Sequence, residues 1–199
     1  MKRFVKALVV GMIITILAST VTFSGECKEI SDKVFRIHIL ANSDSKEDQA
    51  LKLKVRDEVI AYSEELLKDV HSKQEAMNTV LINLDEIQSV AQQVILDEGF
   101  DYPVKLKITK MYFDTRYYES ITMPSGLYDA LRIEIGKAKG KNWWCVMYPS
   151  LCIYSDAKSD SLRDNLTDRE YKIITSDSKY EFRFKIVECF SKMCELFSR

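Results

Sequence analysis

The chain holds only two tryptophans and two histidines, and its five cysteines include no Cys-x-x-Cys and no close Cys/His pairing. Structural zinc needs thiolates and imidazoles clustered at short spacing, so no metal centre is expected. Gly136-x-x-x-Gly140 lacks the Gly-Lys-Ser/Thr ending and the following helix of a phosphate-binding loop, which leaves it as a hairpin loop. Lys and Arg number 29 against 30 Asp and Glu. No run gathers the cations into a sustained patch with interleaved aromatics, so nucleic acid is not an expected partner. There is no repeat or low-complexity tract, and no pattern calls for a cofactor or a small-molecule substrate.

What is present begins with an address. Met1-Lys2-Arg3-Phe4-Val5-Lys6 precedes an uncharged apolar stretch from Ala7 to Phe23, the order of a basic n-region and an h-region. Thr22 and Ser24 offer small residues for cleavage after Ser24. The alternative outcome is an uncleaved anchor, because seventeen residues lie at the short edge of what spans a bilayer. Glu26 ahead of Cys27 excludes a lipoprotein. Cleavage would remove Lys2, Arg3 and Lys6 and take the formal net charge from −1 to −4. Either way the rest of the chain is expected outside the cytoplasm. About 175 residues remain, enough for one domain with a real core and too many to need a disulfide framework. Cys145 and Cys152 are the pair that local geometry favours, one on a strand and the other past a turn at Pro149. A buried free thiol is an equally ordinary fate for Cys145. Cys189 and Cys194 lie about 140° apart on a predicted helix and cannot easily meet each other.

The periodicities predict an α+β fold. Val34 to Ala41 alternates as a strand, with Phe35, Ile37 and Ile39 on one face and Arg36, His38 and Leu40 on the other. Asn42-Ser43-Asp44-Ser45 then caps a long helix through Leu51, Val55, Val59, Tyr62 and Leu66, and Ser72 with Glu75 opens a second one that Gly99 ends. Together they form an αα-hairpin of two helices, each about 25 residues and roughly 37 Å long. Strands follow at 104–109, 115–123 and 131–135, and a β-hairpin leads into the tryptophan strand. Residues 155–179 read as a polar arm, and Tyr180 to Phe197 as a last helix with Phe182, Ile186, Phe190 and Met193 on one stripe. The expected architecture is a mostly antiparallel sheet of about five strands, a long αα-hairpin inserted after the first strand, and a C-terminal helix. The expected domains are 1–24, a signal peptide or N-terminal anchor; 25–154, the folded domain; and 155–199, the polar arm and last helix.

Asn142-Trp143-Trp144-Cys145-Val146-Met147-Tyr148 is the most informative segment. Trp143, Cys145 and Met147 point one way and Trp144, Val146 and Tyr148 the other, so both faces are large and apolar and the strand is expected centrally in a sheet or at an interface that a partner completes. His38 could act as a general base, and Cys145 is the only attractive nucleophile for it, but no nucleophile context surrounds that cysteine. A sheet-face histidine hydrogen-bonded to a neighbour is the plainer reading. Asp44, Asp48 and Asp57 suggest a hard-cation site, yet the first two are explained as acids at a helix N-terminus. Asn165-Leu166-Thr167 matches a glycosylation acceptor, a match that three residues often make by chance.

Three motifs carry a resemblance: Phe35-Arg36-x-His38-x-x-Ala41-Asn42-Ser43-Asp44-Ser45-x-x-Asp48-Gln49-x-Leu51-Lys52-x-x-Val55-Arg56-Asp57; Pro124-x-Gly126-x-Tyr128-x-Ala130-Leu131-Arg132-Ile133; and Asn142-Trp143-Trp144-Cys145-Val146 with Leu151-Cys152. In this order, over about Val34 to Cys152 and behind an export signal, the chain resembles the stage II sporulation protein R family. Ser150 departs from it, standing where the family usually shows a second proline. The resemblance implies an intercellular signal of endospore formation, exported from the forespore into the space between forespore and mother-cell membranes, or tethered there by residues 7–23. It implies a partner too: the extracytoplasmic face of a membrane-embedded aspartic-type protease that matures the sigma-E precursor. The chain would then be a ligand and not an enzyme. The motif residues expected as partner contacts are His38, Asn42, Asp44, Asp48, Arg56, Tyr128, Trp143 and Trp144. Readings from other classes are an extracytoplasmic hydrolase using Cys145 and His38, and a generic envelope interaction module.

Overall fold

The computed structural model describes residues 2–118, 121–151, 158–175, 180 and 183–189. In chain order its elements are α1 (Lys2–Lys33), β1 (Phe35–Leu40), α2 (Lys46–Leu67), α3 (Lys73–Ile82), α4 (Leu84–Asp97), β2 (Val104–Phe113), β3 (Arg116–Tyr118), β4 (Ile121–Met123), β5 (Gly126–Ile135), β6 (Asn142–Tyr148), α5 (Lys158–Asn165) and α6 (Asp168–Thr175). A further helix covers 183–189. The α+β class is as expected. The chain divides into two compact units, one of residues 33–111 and 128–165 and the other of 1–32, 112–127 and 166–199.

In the first unit the helices form where their caps stand. Ser45 Oγ accepts the Asp48 N–H at 3.1 Å and Ser72 Oγ accepts that of Glu75 at 3.2 Å, each satisfying a donor that the helix start leaves open. Gly99, at φ +80°, ends α4: its N–H reaches Leu96 O and that of Phe100 reaches Ile95 O, a Schellman closure. The expected second long helix is in fact two. Asn83 leaves helical geometry at φ −98°, ψ 17°, and its Nδ2 donates to Thr79 O at 2.8 Å, so that side chain takes up a carbonyl at the end of α3.

The sheet order is β2-β5-β1-β6, with β1 parallel to β5 and antiparallel to β6. This corrects the mostly antiparallel sheet of about five strands: the sheet is mixed and four-stranded, and β3 and β4 pair separately. The expected β5–β6 hairpin does not form, because β1 lies between the two. A parallel β1–β5 pair needs a long crossover, and the helices with β2 supply it. β1 is therefore central and wholly buried, while β6 is the last strand of the order rather than a central one. The face bearing Ile37, Ile39, Leu131, Ile133 and Cys145 is apolar and buried. α2 and α3 pack on β1, and Ile60 and Leu67 of α2 line a cleft of about 290 Å³ together with Ile37 and Met147.

In the second unit α1 is continuous through Ser24. It is long and apolar enough to cross a membrane by length and composition. Near its end Phe23, Cys27 and Ile30 are buried. The Phe23 ring stacks on Tyr180 at 5.7 Å and lies 5.3 Å from Phe184. The polar stretch expected as an arm contains α6, and also α5, which belongs to the first unit. α6 begins with a reciprocal capping box that the sequence reading passed over: Thr167 Oγ1 accepts from the Glu170 N–H and a Glu170 carboxylate oxygen from the Thr167 N–H. Of the last helix, Phe184 and Val187 are buried and Ile186 half-buried, while Phe182, Phe190, Met193 and Cys194 lie outside the described residues.

Candidate functional site

The loop of residues 136–141 cannot turn directly back along β5, because β1 occupies that place. It bridges the end of β1 instead, and its main chain is held there. Gly136 N–H donates to Pro103 O, Ala138 N–H to Ile135 O, Lys139 N–H to Asn42 O and Gly140 N–H to Ala41 O. Lys137 N–H donates to Asn42 Oδ1 at 2.9 Å and Lys141 N–H to Asp44 Oδ1 at 2.6 Å. All six amides of the loop are thus satisfied. A Cβ on Gly140 would lie 2.1 Å from Ser43 O, so this close approach requires glycine. Ala138 holds φ +52°, where an L residue other than glycine is strained.

Asn42 is the hub of this corner. Its Nδ2 donates to Asp48 Oδ2 at 2.8 Å, beside a bond from Ser43 Oγ to the same oxygen at 2.5 Å. Asp48 is 4% exposed. Burial pushes its carboxyl up, but hydrogen bonds from Ser43, Asn42 and Tyr102 outweigh that and hold it below its ordinary value. Lys52, also buried, donates to Lys141 O at 3.0 Å and Gln49 Oε1 at 2.7 Å, and burial lowers its pKa. Asn42, Asp44 and Asp48, expected as contacts, are therefore first the stitches between the β1–α2 turn and the loop.

The tryptophans leave this corner on opposite faces of β6. Trp143, half-buried, takes the Arg56 guanidinium over its ring at 5.1 Å. Trp144, opposite His38 in the antiparallel register, stacks on the imidazole at 4.0 Å and 11°. His38 is buried, as are Arg36 and Tyr128, which meet at 4.9 Å as a cation–π pair. Arg132 and Glu134 continue this polar face on β5, joined at 2.6 Å, with Lys107 Nζ 3.5 Å from Glu134. Of the eight motif residues, Asp44 is exposed, Asn42, Arg56, Trp143 and Trp144 are half-buried, and His38, Asp48 and Tyr128 lie inside.

Cys145 is disulfide-bonded, and Cys152, its expected partner, lies outside the described residues. Cys145 is in register with Ile37 and Trp144 with His38. Because neighbouring strand residues face opposite ways, the Cys145 and His38 side chains lie on opposite faces of the sheet. The dyad that a hydrolase would need is not assembled. Gln49 and Lys52, which stand in the first motif but were not expected as contacts, also join the corner, Gln49 Nε2 donating to Ser43 O and Lys52 Nζ to Lys141 O.

Comparisons with known proteins agree with one another. The family model for stage II sporulation protein R matches residues 31–159, a span that takes in β1, the stitched corner and the tryptophan strand. The stage II sporulation protein R of Bacillus subtilis (strain 168) is 35% identical over 135 residues, 68% of this chain and 60% of the relative. The chain thus matches over about three fifths of that relative's length. No solved structure matches.

Proposed function

We propose that this chain, which belongs to the stage II sporulation protein R family and so has a role in sporulation, acts there as a ligand rather than as a catalyst. Its folded part, carried across the membrane behind the basic N-terminus and α1, stands between forespore and mother cell. There it binds the extracytoplasmic face of a membrane-embedded aspartic-type protease and shifts that enzyme to its active state, and the protease matures the sigma-E precursor. The observation that carries this reading is the layout of β6. Its cysteine is bonded and faces away from His38, while its two tryptophans, both half-buried, adjoin a corner built from family motif residues. Tryptophan and arginine side by side are the residue types that dominate protein–protein contacts.

A ligand can shift an equilibrium only through differential affinity for the two states, so precursor cleavage must rise with ligand concentration and saturate. The test is co-expression of this chain, the protease and the precursor in a non-sporulating host, with cleavage as readout. Cleavage that requires this chain, survives Cys145→Ser combined with His38→Gln, and stops when export is blocked is the expected result. Cleavage indifferent to the chain would end the proposal. Loss in the double variant, with fold and protease binding retained, would return the hydrolase reading.

A further inference from the structure

The loop of residues 136–141 presents three lysines whose side chains the fold does not use. Lys137, Lys139 and Lys141 are all exposed. Their main-chain amides hold the corner together, through Asn42 Oδ1, Asn42 O and Asp44 Oδ1. Among the described residues none of the three ammonium groups belongs to an ion pair, which is equally true of Lys105 and Lys110 on β2; the three loop lysines differ in lying together on one short loop. Three cations thus stand on a rigid backbone in a chain whose formal net charge is −1. The loop runs directly into Trp143 and Trp144.

We infer that this loop is an electrostatic docking element for an acidic segment of a protein partner. Charge complementarity argues for the acidic partner, and rigidity argues for a specific one. Because six satisfied amides fix the loop, its side chains can bind without the ordering cost that a mobile lysine loop would carry. Such a contact accelerates encounter and weakens with salt. The inference rests on the ligand reading above and adds the chemistry of the partner's face.

The test uses the full-length chain carrying Lys137→Glu, Lys139→Glu and Lys141→Glu together, with the neutral Lys→Gln triple beside it. The control reverses Lys105 and Lys110, two exposed cations of β2. Two readouts are taken: restoration of sporulation in a strain lacking its own copy, and co-purification with the protease in mild detergent at about 0.05 and about 0.5 M salt. Expected are an unchanged melting temperature, at least a tenfold loss of sporulation for the Glu triple and a smaller loss for the Gln triple. The control should behave as wild type, and co-purification should fall with salt. A Glu triple that restores sporulation as wild type does, or a control that fails equally, would overturn the docking element. If the wild type restores sporulation but never retains the protease, the protease reading fails. The docking element then stands on the sporulation loss alone, with an acidic partner of another identity. A sporulation loss with protease retention unaltered by the Glu triple, at either salt, would assign the lysines to something other than an acidic face of that partner and overturn the inference.

Discussion

The helix-covered face of the sheet and the corner where the 136–141 loop crosses β1 are held by different chemistry. On the face, side chains do the work: Ile37, Ile39, Leu131 and Ile133 are fully buried, and each position tolerates only a side chain of the right volume. At the corner the main chain does it, with four of the six loop amides reaching Ala41, Asn42 and Asp44, and Asp48 fixing Asn42 and Ser43 of the turn. A region stitched through its backbone leaves its outward side chains free to be selected for something else. That separation lets a small domain be stable while its outward side chains stay open to a partner.

The largest effect should come from the face. Ile133→Ala removes a fully buried side chain from β5 and should cost about 3–4 kcal/mol. Urea denaturation of the full-length chain in mild detergent measures it, and a cost below about 1 kcal/mol would show the face to be loosely packed.

Asp48 is the corner's buried carboxylate, and Asp48→Ala leaves Asn42 Nδ2 and the Ser43 hydroxyl without their acceptor. The expected cost is about 2–3 kcal/mol. Its depressed pKa also fixes a sign. A carboxylate held below its unfolded value stabilises the fold above about pH 4 and loses that contribution as pH falls through the folded pKa. Stability should therefore fall more steeply below about pH 4 in the wild type than the rest of its carboxylates require. Asp48→Asn should flatten that part of the profile. An unaltered profile would show that Asp48 is not the group responsible.

Much of this was legible in the sequence, and what was not has physical causes. Caps at Ser45 and Ser72 and the stop at Gly99 are local chemistry, readable within four residues. Strand order is not local: nothing in residues 131–148 says that β1 will insert between β5 and β6, so the short connection read as a hairpin. The role of Gly140 is invisible for the same reason, since Ser43 O is 97 residues away in sequence. Asn83 broke a helix whose apolar spacing continued across it, because one side-chain bond to Thr79 O can end a helix without disturbing the pattern. The capping box at Thr167 and Glu170 was readable and was obscured by the polarity around it.

Gly140→Ala attacks the stitching alone. The new methyl would sit 2.1 Å from a backbone oxygen that cannot step aside without moving the β1–α2 turn. A cost of about 2 kcal/mol is expected, with slower amide exchange lost at Lys139 and Lys141. Exchange unchanged at those two amides would mean that the loop is not held as described.

The smallest effect sharpens the comparison most, because it touches only backbone. Ala138 sits at φ +52° with its N–H on Ile135 O. An L residue pays roughly 1 kcal/mol or more for that conformation and glycine does not. Ala138→Gly removes the strain and keeps the hydrogen bond, while the more flexible unfolded chain takes back about 0.5–1 kcal/mol. The net change should be a stabilisation of no more than about 0.5 kcal/mol, read as a small upward shift of the urea midpoint at unchanged slope. Ala138→Val, β-branched in the same conformation, should go the other way by more than about 1 kcal/mol. Loss of stability in the glycine variant comparable to that of valine would mean the methyl itself is packed, and that the corner, like the face, is held by side chains.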